Sequence, residues 1–314
     1  MDVPQQVDLS PGENEPFWEL DETPELVQKR RSQGRIIFDR FVRHRGAIVG
    51  FFFLTVLFLF CFLGPLFWRL DPDLIPNDVI TSRFTAPDAA HPFGTDWIAR
   101  DELARALAGG RISLLVALTS MAGAIILGVG IGSFAGFYGG IIDNLLMRFT
   151  DVYLAVPLYL LLFVLSATFT DGSPKSVVIL ISIFGWTYAA RLVRGEYLAH
   201  REREYVLAAR AIGAKNLSLM FRHILPNVAG PIIVNATLLI GSNVILESVL
   251  SYFGFGIKAP NPSWGNMVAD GQGYFDQAPW LVFVPALLIF LTVLSVNIVG
   301  DGLRDALDPH MTER

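Results

Sequence analysis

Apolar residues gather into runs of about 20, the length a helix needs to cross the hydrocarbon core of a bilayer. The runs occupy positions 47–67, 112–136, 152–169, 177–192, 228–250 and 280–299 and predict six spanning helices. Pro157 predicts a kink in the third, and Pro231 is tolerated in the first turn of the fifth. Gly128, Gly132 and Gly136 recur every four residues in the second, a small-residue stripe that favours close helix packing. Between the runs lie an Asp- and Pro-rich segment (69–93), a short turn (139–151), a tight turn (171–176) and a loop with Pro260, Pro262 and Trp264 (251–279). From position 91 to 114 the pattern predicts a helix lying on the membrane surface, capped by Thr95 or Asp96. Trp97, Ala104 and Leu107 would face lipid, and Arg100, Asp101 and Arg105 water.

One polar interval has a helical period of its own. In 204–227, Tyr205, Ala208, Ala209 and Ile212 fall at i, i+3, i+4 and i+7 and would share a face. Gly213 follows, where a helix commonly ends in a left-handed residue. Asn216 suits an N-cap, and Leu217, Met220, Phe221 and Ile224 repeat the spacing until Pro226. Arg210, Lys215, Arg222 and His223 make the stretch net basic. The prediction is two short amphipathic helices hinged at a glycine. Such a unit either touches a protein in the cytoplasm or lies on the membrane surface.

Charge placement sets the predicted orientation. Lys29, Arg30, Arg31, Arg35, Arg40, Arg43 and Arg45 precede the first run, and Arg191, Arg194, Arg201 and Arg203 lead into the hinged stretch. Positive loops face the cytoplasm, so both termini and 204–227 are expected inside. The long loop with Asp71, Asp73, Asp78 and Asp88 is expected outside, although Arg69, Arg83, Arg100, Arg105 and Arg111 share that side. Trp68 and Trp97 suit an interfacial aromatic belt. The first 46 residues have no apolar core of the kind a cleavable signal carries.

Of 314 residues, 53% are hydrophobic and 17% charged, and the mean hydropathy is +0.48. Soluble domains carry about 25% charge, so the deficit agrees with the apolar runs. The single cysteine, Cys61, rules out an internal disulfide or a cysteine zinc site. A basic segment beside a membrane span is weak evidence for nucleic acid, and no nucleic-acid partner is expected. There is no G-x-x-x-x-G-K-[ST], H-E-x-x-H or G-x-S-x-G string, and His44, His91, His200, His223 and His310 show no ligand spacing. The chain is thus expected to bind no cofactor and catalyse no reaction. Glu247 sits within the fifth run. An intramembrane carboxylate either lines a pathway, or reaches the outer interface or hydrogen-bonds to a neighbouring helix. Asn297 in the sixth run predicts a helix–helix hydrogen bond.

Ala208, Ala209, Gly213, Leu225 and Pro226 resemble the "EAA" loop of the inner-membrane subunits of binding-protein-dependent ABC importers. Leu207 stands where that pattern has Glu, and His223 where it often has Ile; Glu204 is the carboxylate one turn earlier. The FGTD, Arg-Asp and Gly-x-Arg-x-Ser strings between His91 and Leu114, and GDGLRDALDP at the end, resemble the second permease subunit of the peptide-transport branch. The resemblance spans 35–309. It implies an all-α integral membrane protein with the type I ABC importer permease fold. Its parts would be a cytoplasmic tail (1–46), a first span with outer loop and surface helix (47–111), a transmembrane domain (112–309) holding the coupling loop (204–227), and a short cytoplasmic tail (310–314). It further implies a second homologous permease, two cytoplasmic ATP-binding subunits that hold ATP and Mg, an extracytoplasmic substrate-binding protein, surrounding lipid, and a peptide substrate in the bacterial cytoplasmic membrane. Docking on the ATPase would fall to Glu204, Tyr205, Ala208, Ala209, Arg210, Gly213, Leu217, Met220 and Phe221. Import of nickel or another small solute is the alternative within the family. An ion-coupled secondary transporter is disfavoured because acidic residues are nearly absent from the span centres.

Overall fold

A computed structural model describes residues 33–68, 71–76 and 78–308. The expectations for positions 1–32 of the cytoplasmic tail, Lys29, Arg30 and Arg31 among them, for Arg69 and for the C-terminal tail (310–314) lie outside the described residues.

The described chain is helical, with one isolated bridge between Thr95 and Asp101 and no strand among the described residues. Helices α1 (Gln33–Arg43), α2 (Arg45–Phe67), α3 (Val79–Ser82) and α4 (Glu102–Tyr138) come first. They are followed by α5 (Gly140–Leu154), α6 (Leu158–Phe169) and α7 (Pro174–His200). A hairpin follows, made of α8 (Glu204–Ala211) and α9 (Asn216–Ser218), which runs on as a π-helix over Leu219–Ile224. The last three are α10 (Ala229–Tyr252), α11 (Trp264–Gln272) and α12 (Trp280–Leu307). Among the described residues, α2, α4, α7, α10 and α12 are each long and apolar enough to cross a membrane. The sixth crossing exists only if α5 and α6 count as one.

That pair corrects the expected third span. Positions 140–154 are helix rather than a turn, and the two helices meet at 84°. Pro157 supplies no N–H to the helix before it and becomes the N-cap of α6, so the helix breaks rather than kinks. Helix α5 is tied to α7 where Arg194 Nε and Nη2 donate to the two Asp143 carboxylate oxygens at 2.5 and 2.6 Å. At the start of α7, hydrogen bonds from Ser173 and Ser176 hold the Asp171 carboxyl well below its usual range.

The expected surface helix is corrected as well. Positions 91–101 are not helical, and from Glu102 on its residues continue into the second span as one 37-residue helix, α4, so the boundary drawn at 111/112 falls inside a single rod. The N-cap is Asp101, not Thr95 or Asp96: its carboxylate accepts the Ala104 N–H at 2.7 Å. It also accepts from Trp68 Nε1 and lies 2.7 Å from His91 Nδ1. Asp101 and Arg105 are buried, and Arg100 nearly so, because Asp96 and Asp270 pair with the two arginines.

Helices α4 and α7 form the tightest pair. Gly128 approaches the Ala189 side chain, Gly132 the Ala190 carbonyl, and Gly136 the Tyr197 Cβ; a methyl group at any of the three would collide with α7. Helix α12 packs on both α2 and α10. Asn297 is exposed on α12 beside Gly241 and makes no helix–helix hydrogen bond, which corrects that expectation. A polar link between spans comes instead from Asn243 on α10, whose Nδ2 donates to Ser120 Oγ on α4 at 2.9 Å.

Candidate functional site

The hairpin sits at the end of the bundle where α4 and α7 finish. Helix α8 closes with the glycine signature: Gly213 N–H donates to the Arg210 carbonyl and Ala214 N–H to the Ala209 carbonyl, with Gly213 at φ +89°. No atom lies within 4 Å of where a Cβ would stand, so the backbone angle alone demands glycine here. The second helix begins at Asn216 with Lys215 as its N-cap, which displaces Asn216 from the capping role. It then widens into a π-turn, with Leu225 N–H donating to the Met220 carbonyl at 2.9 Å.

Burial splits the predicted stripes. Val206, Ala209, Leu219, Met220 and Ile224 are buried, together with Phe137, Val193 and Tyr197 from the ends of α4 and α7. Tyr197 Oη donates to the Met220 carbonyl at 3.0 Å and pins the hairpin from beneath. Ala209 and Met220 therefore belong to the base and are unavailable to a partner, contrary to expectation. The π-turn is the reason for the second helix: five residues per hydrogen bond brings Leu219 and Ile224 onto one inward line, which a 3.6-residue period misses.

What remains outside is apolar and basic. Tyr205, Leu207, Ala208, Ile212, Leu217 and Phe221 are exposed, Ile212 by 87%. Glu204, Arg210, Lys215 and Arg222 surround them. Burial raises the Tyr205 phenol above its usual pKa, and its Oη lies 3.0 Å from His200 Nδ1. The hairpin thus has a buried base and an exposed apolar set interspersed along the chain with these charged residues. Val206 and Leu219, the main anchors, escaped notice in the sequence because each stands one place off the regular stripe.

Glu247 lies far from the hairpin and is 0% exposed. Ser113 Oγ and Ser251 Oγ donate to its two carboxylate oxygens at 2.8 and 2.7 Å. Ser113 Oγ also accepts the Trp264 N–H, so the group joins α4, α10 and α11. Of the two readings for Glu247, hydrogen bonding to neighbouring helices is the one the structure has; its carboxylate lines no surface of the described chain.

The hinged, glycine-capped hairpin lies within a stretch that matches a known family. A profile described as "Binding-protein-dependent transport system inner membrane component" matches residues 128–313. The chain belongs to that family. It is a multi-pass inner-membrane protein and a permease component of a transport system that works with a binding protein. Residues 32–87 match the N-terminal TM domain of oligopeptide transport permease C. Among similar proteins, the oligopeptide transport system permease protein OppC of Bacillus subtilis is 38% identical over 272 residues, 87% of this chain and 88% of that one. The dipeptide transport system permease protein DppC of Alkalihalophilus pseudofirmus is 39% identical over 288 residues, 92% and 93% of the two chains. OppC of Haemophilus influenzae is 32% identical, covering 92% and 94%.

Proposed function

We propose that this permease moves short peptides across the cytoplasmic membrane, powered by ATPase subunits that dock on the α8–α9 hairpin. In this reading both termini and the hairpin face the cytoplasm. A second homologous permease completes the pathway, two ATP-binding subunits hold ATP and Mg below, and a substrate-binding protein docks above. The chain itself performs no chemistry. Its peptide substrate is inferred from the oligopeptide and dipeptide permeases it resembles over most of its length.

One observation carries the coupling role: the hairpin buries Leu219, Met220 and Ile224 in the ends of α4 and α7 while leaving Ile212, Leu217 and Phe221 uncovered. A push on those exposed residues is therefore borne by the two most closely packed helices. ATP-driven closure of the ATPase pair biases the permease between inward-open and outward-open forms through that contact.

Gly213→Val tests it. A β-branched side chain at φ +89° costs roughly 1–2 kcal/mol and turns the second helix away. Membrane insertion and ATP hydrolysis are expected to persist while uptake fails. Uptake at the parental rate would remove the hairpin from the transport cycle.

A further inference from the structure

The bundle end opposite the hairpin holds a cleft of about 320 Å3 that the coupling role does not use. It opens between the start of α4, the end of α10, the 253–261 loop and α11. Three cations line it: Arg100, Arg105 and Lys258. Two carboxylates answer them. Asp96 Oδ2 accepts from Arg100 Nε and Arg105 Nη1, each at 2.7 Å. Asp270 Oδ2 accepts from Arg105 Nη2 at 3.0 Å and lies 3.8 Å from Arg100 Nη2. The buried Glu102, one helical turn before Arg105, is not among the walls.

Lys258 has no acidic partner among the described residues. Its position is nonetheless fixed: its N–H donates to the Gly172 carbonyl at 3.0 Å, and its stem lies so close over Gly172 that a Cβ there would collide with it. Arg105 is only 4% exposed, yet its Nε has no acceptor. A buried guanidinium N–H left without an acceptor is costly, and among the lining residues three cations face one carboxylate, Asp270, with the buried Asp96 behind the two arginines. Beyond Tyr252, which both share, lies a second hollow of about 270 Å3 with apolar walls that include Ile245, Val249 and Ile289. The pair suits a small ligand with a carboxylate beside an apolar side chain. A lone acidic side chain from a docking protein would leave the second hollow empty.

We propose that this cleft binds the C-terminal carboxylate of a short peptide at the outer end of the permease. The proposal rests on the peptide-import reading above, and it assigns the first contact the permease makes with its cargo.

The test uses the whole complex with its binding protein in proteoliposomes. Uptake of a tripeptide ending in Leu is compared with uptake of its C-terminal amide, for the parent, Lys258→Ala and Lys258→Arg. The affinity of the binding protein for each peptide is measured separately, since it is common to all three. Lys258→Ala is expected to raise the half-saturating concentration for the free acid about fivefold and leave the amide unchanged, with Lys258→Arg close to the parent. Equal weakening for both peptides, with looser attachment of the binding protein, would assign the cleft to a carboxylate of that protein and overturn the proposal. An unchanged acid-to-amide ratio would overturn it too. A parent complex that imports neither peptide would refute the peptide-import reading and this proposal with it, whereas import with an unchanged ratio refutes the cleft alone.

Discussion

Pro65 has no N–H to offer the Cys61 carbonyl one turn back in α2, and Arg111 of α4 supplies the donor instead. Its Nε reaches Cys61 O at 2.9 Å and its Nη2 reaches Phe62 O at 2.6 Å. The side chain clamps α2 to α4 by repairing a break that proline made. Arg111→Met should therefore cost about 2 kcal/mol of stability in detergent, read from thermal unfolding. Pro65→Ala in the same chain should recover part of that loss, because the helix then satisfies its own carbonyl. Strictly additive effects of the two changes would deny the clamp. The sequence placed Arg111 as a cation on the outer side and within the Gly-x-Arg-x-Ser string, and no local pattern links it to a proline 46 positions earlier. Gly213 was legible for the opposite reason: its left-handed angle serves the helix that immediately precedes it.

At the scale of helices, the account turns on how α4 and α7 touch. Gly132→Ala drives a methyl group into the Ala190 carbonyl and should destabilise the protein by about 1–3 kcal/mol. Gly130→Ala, two residues away with open space around it, should be neutral or gain up to about 1 kcal/mol from helix propensity. Thermal midpoints of the two purified variants check the pair, and equal shifts would mean that the stripe does not set the packing. The glycine spacing announced this contact without naming α7 as the partner. Helix α5 was expected as a turn, since Asp143, Arg148 and Asp151 interrupt the apolar run that marks a span, and nothing in composition announces a helix set at 84° to the next. Its main polar tie is Asp143 to Arg194, so Asp143→Ala should speed amide hydrogen exchange in α5 while leaving α7 protected. Unchanged exchange in α5 would show that this pair does not hold it, leaving the Arg191–Asp151 and Tyr153–Phe184 ties and apolar packing to do so.

For the molecule as a whole, the six-run pattern located the bundle, and charge set an expected orientation. The interior polar groups were harder to foresee. Asn243, Arg100 and Arg105 find partners 120 to 170 positions away or across loops, which composition and period do not encode. The hairpin was expected to be amphipathic and basic, and two residues expected at its contact surface, Ala209 and Met220, are buried in its base instead. What is left exposed is a compact surface with Ile212 at its tip, directly after α8 and before the hinge. Cys61 is the only cysteine in the sequence and is buried, so a second one can be introduced as a unique reporter. The most direct test is to place a cysteine-linked photo-crosslinker at Ile212→Cys in the assembled complex. An adduct with an ATPase subunit whose yield changes with ATP is the predicted result. An adduct with lipid alone, or labelling of the site by a reagent confined to the outer face, would contradict the account.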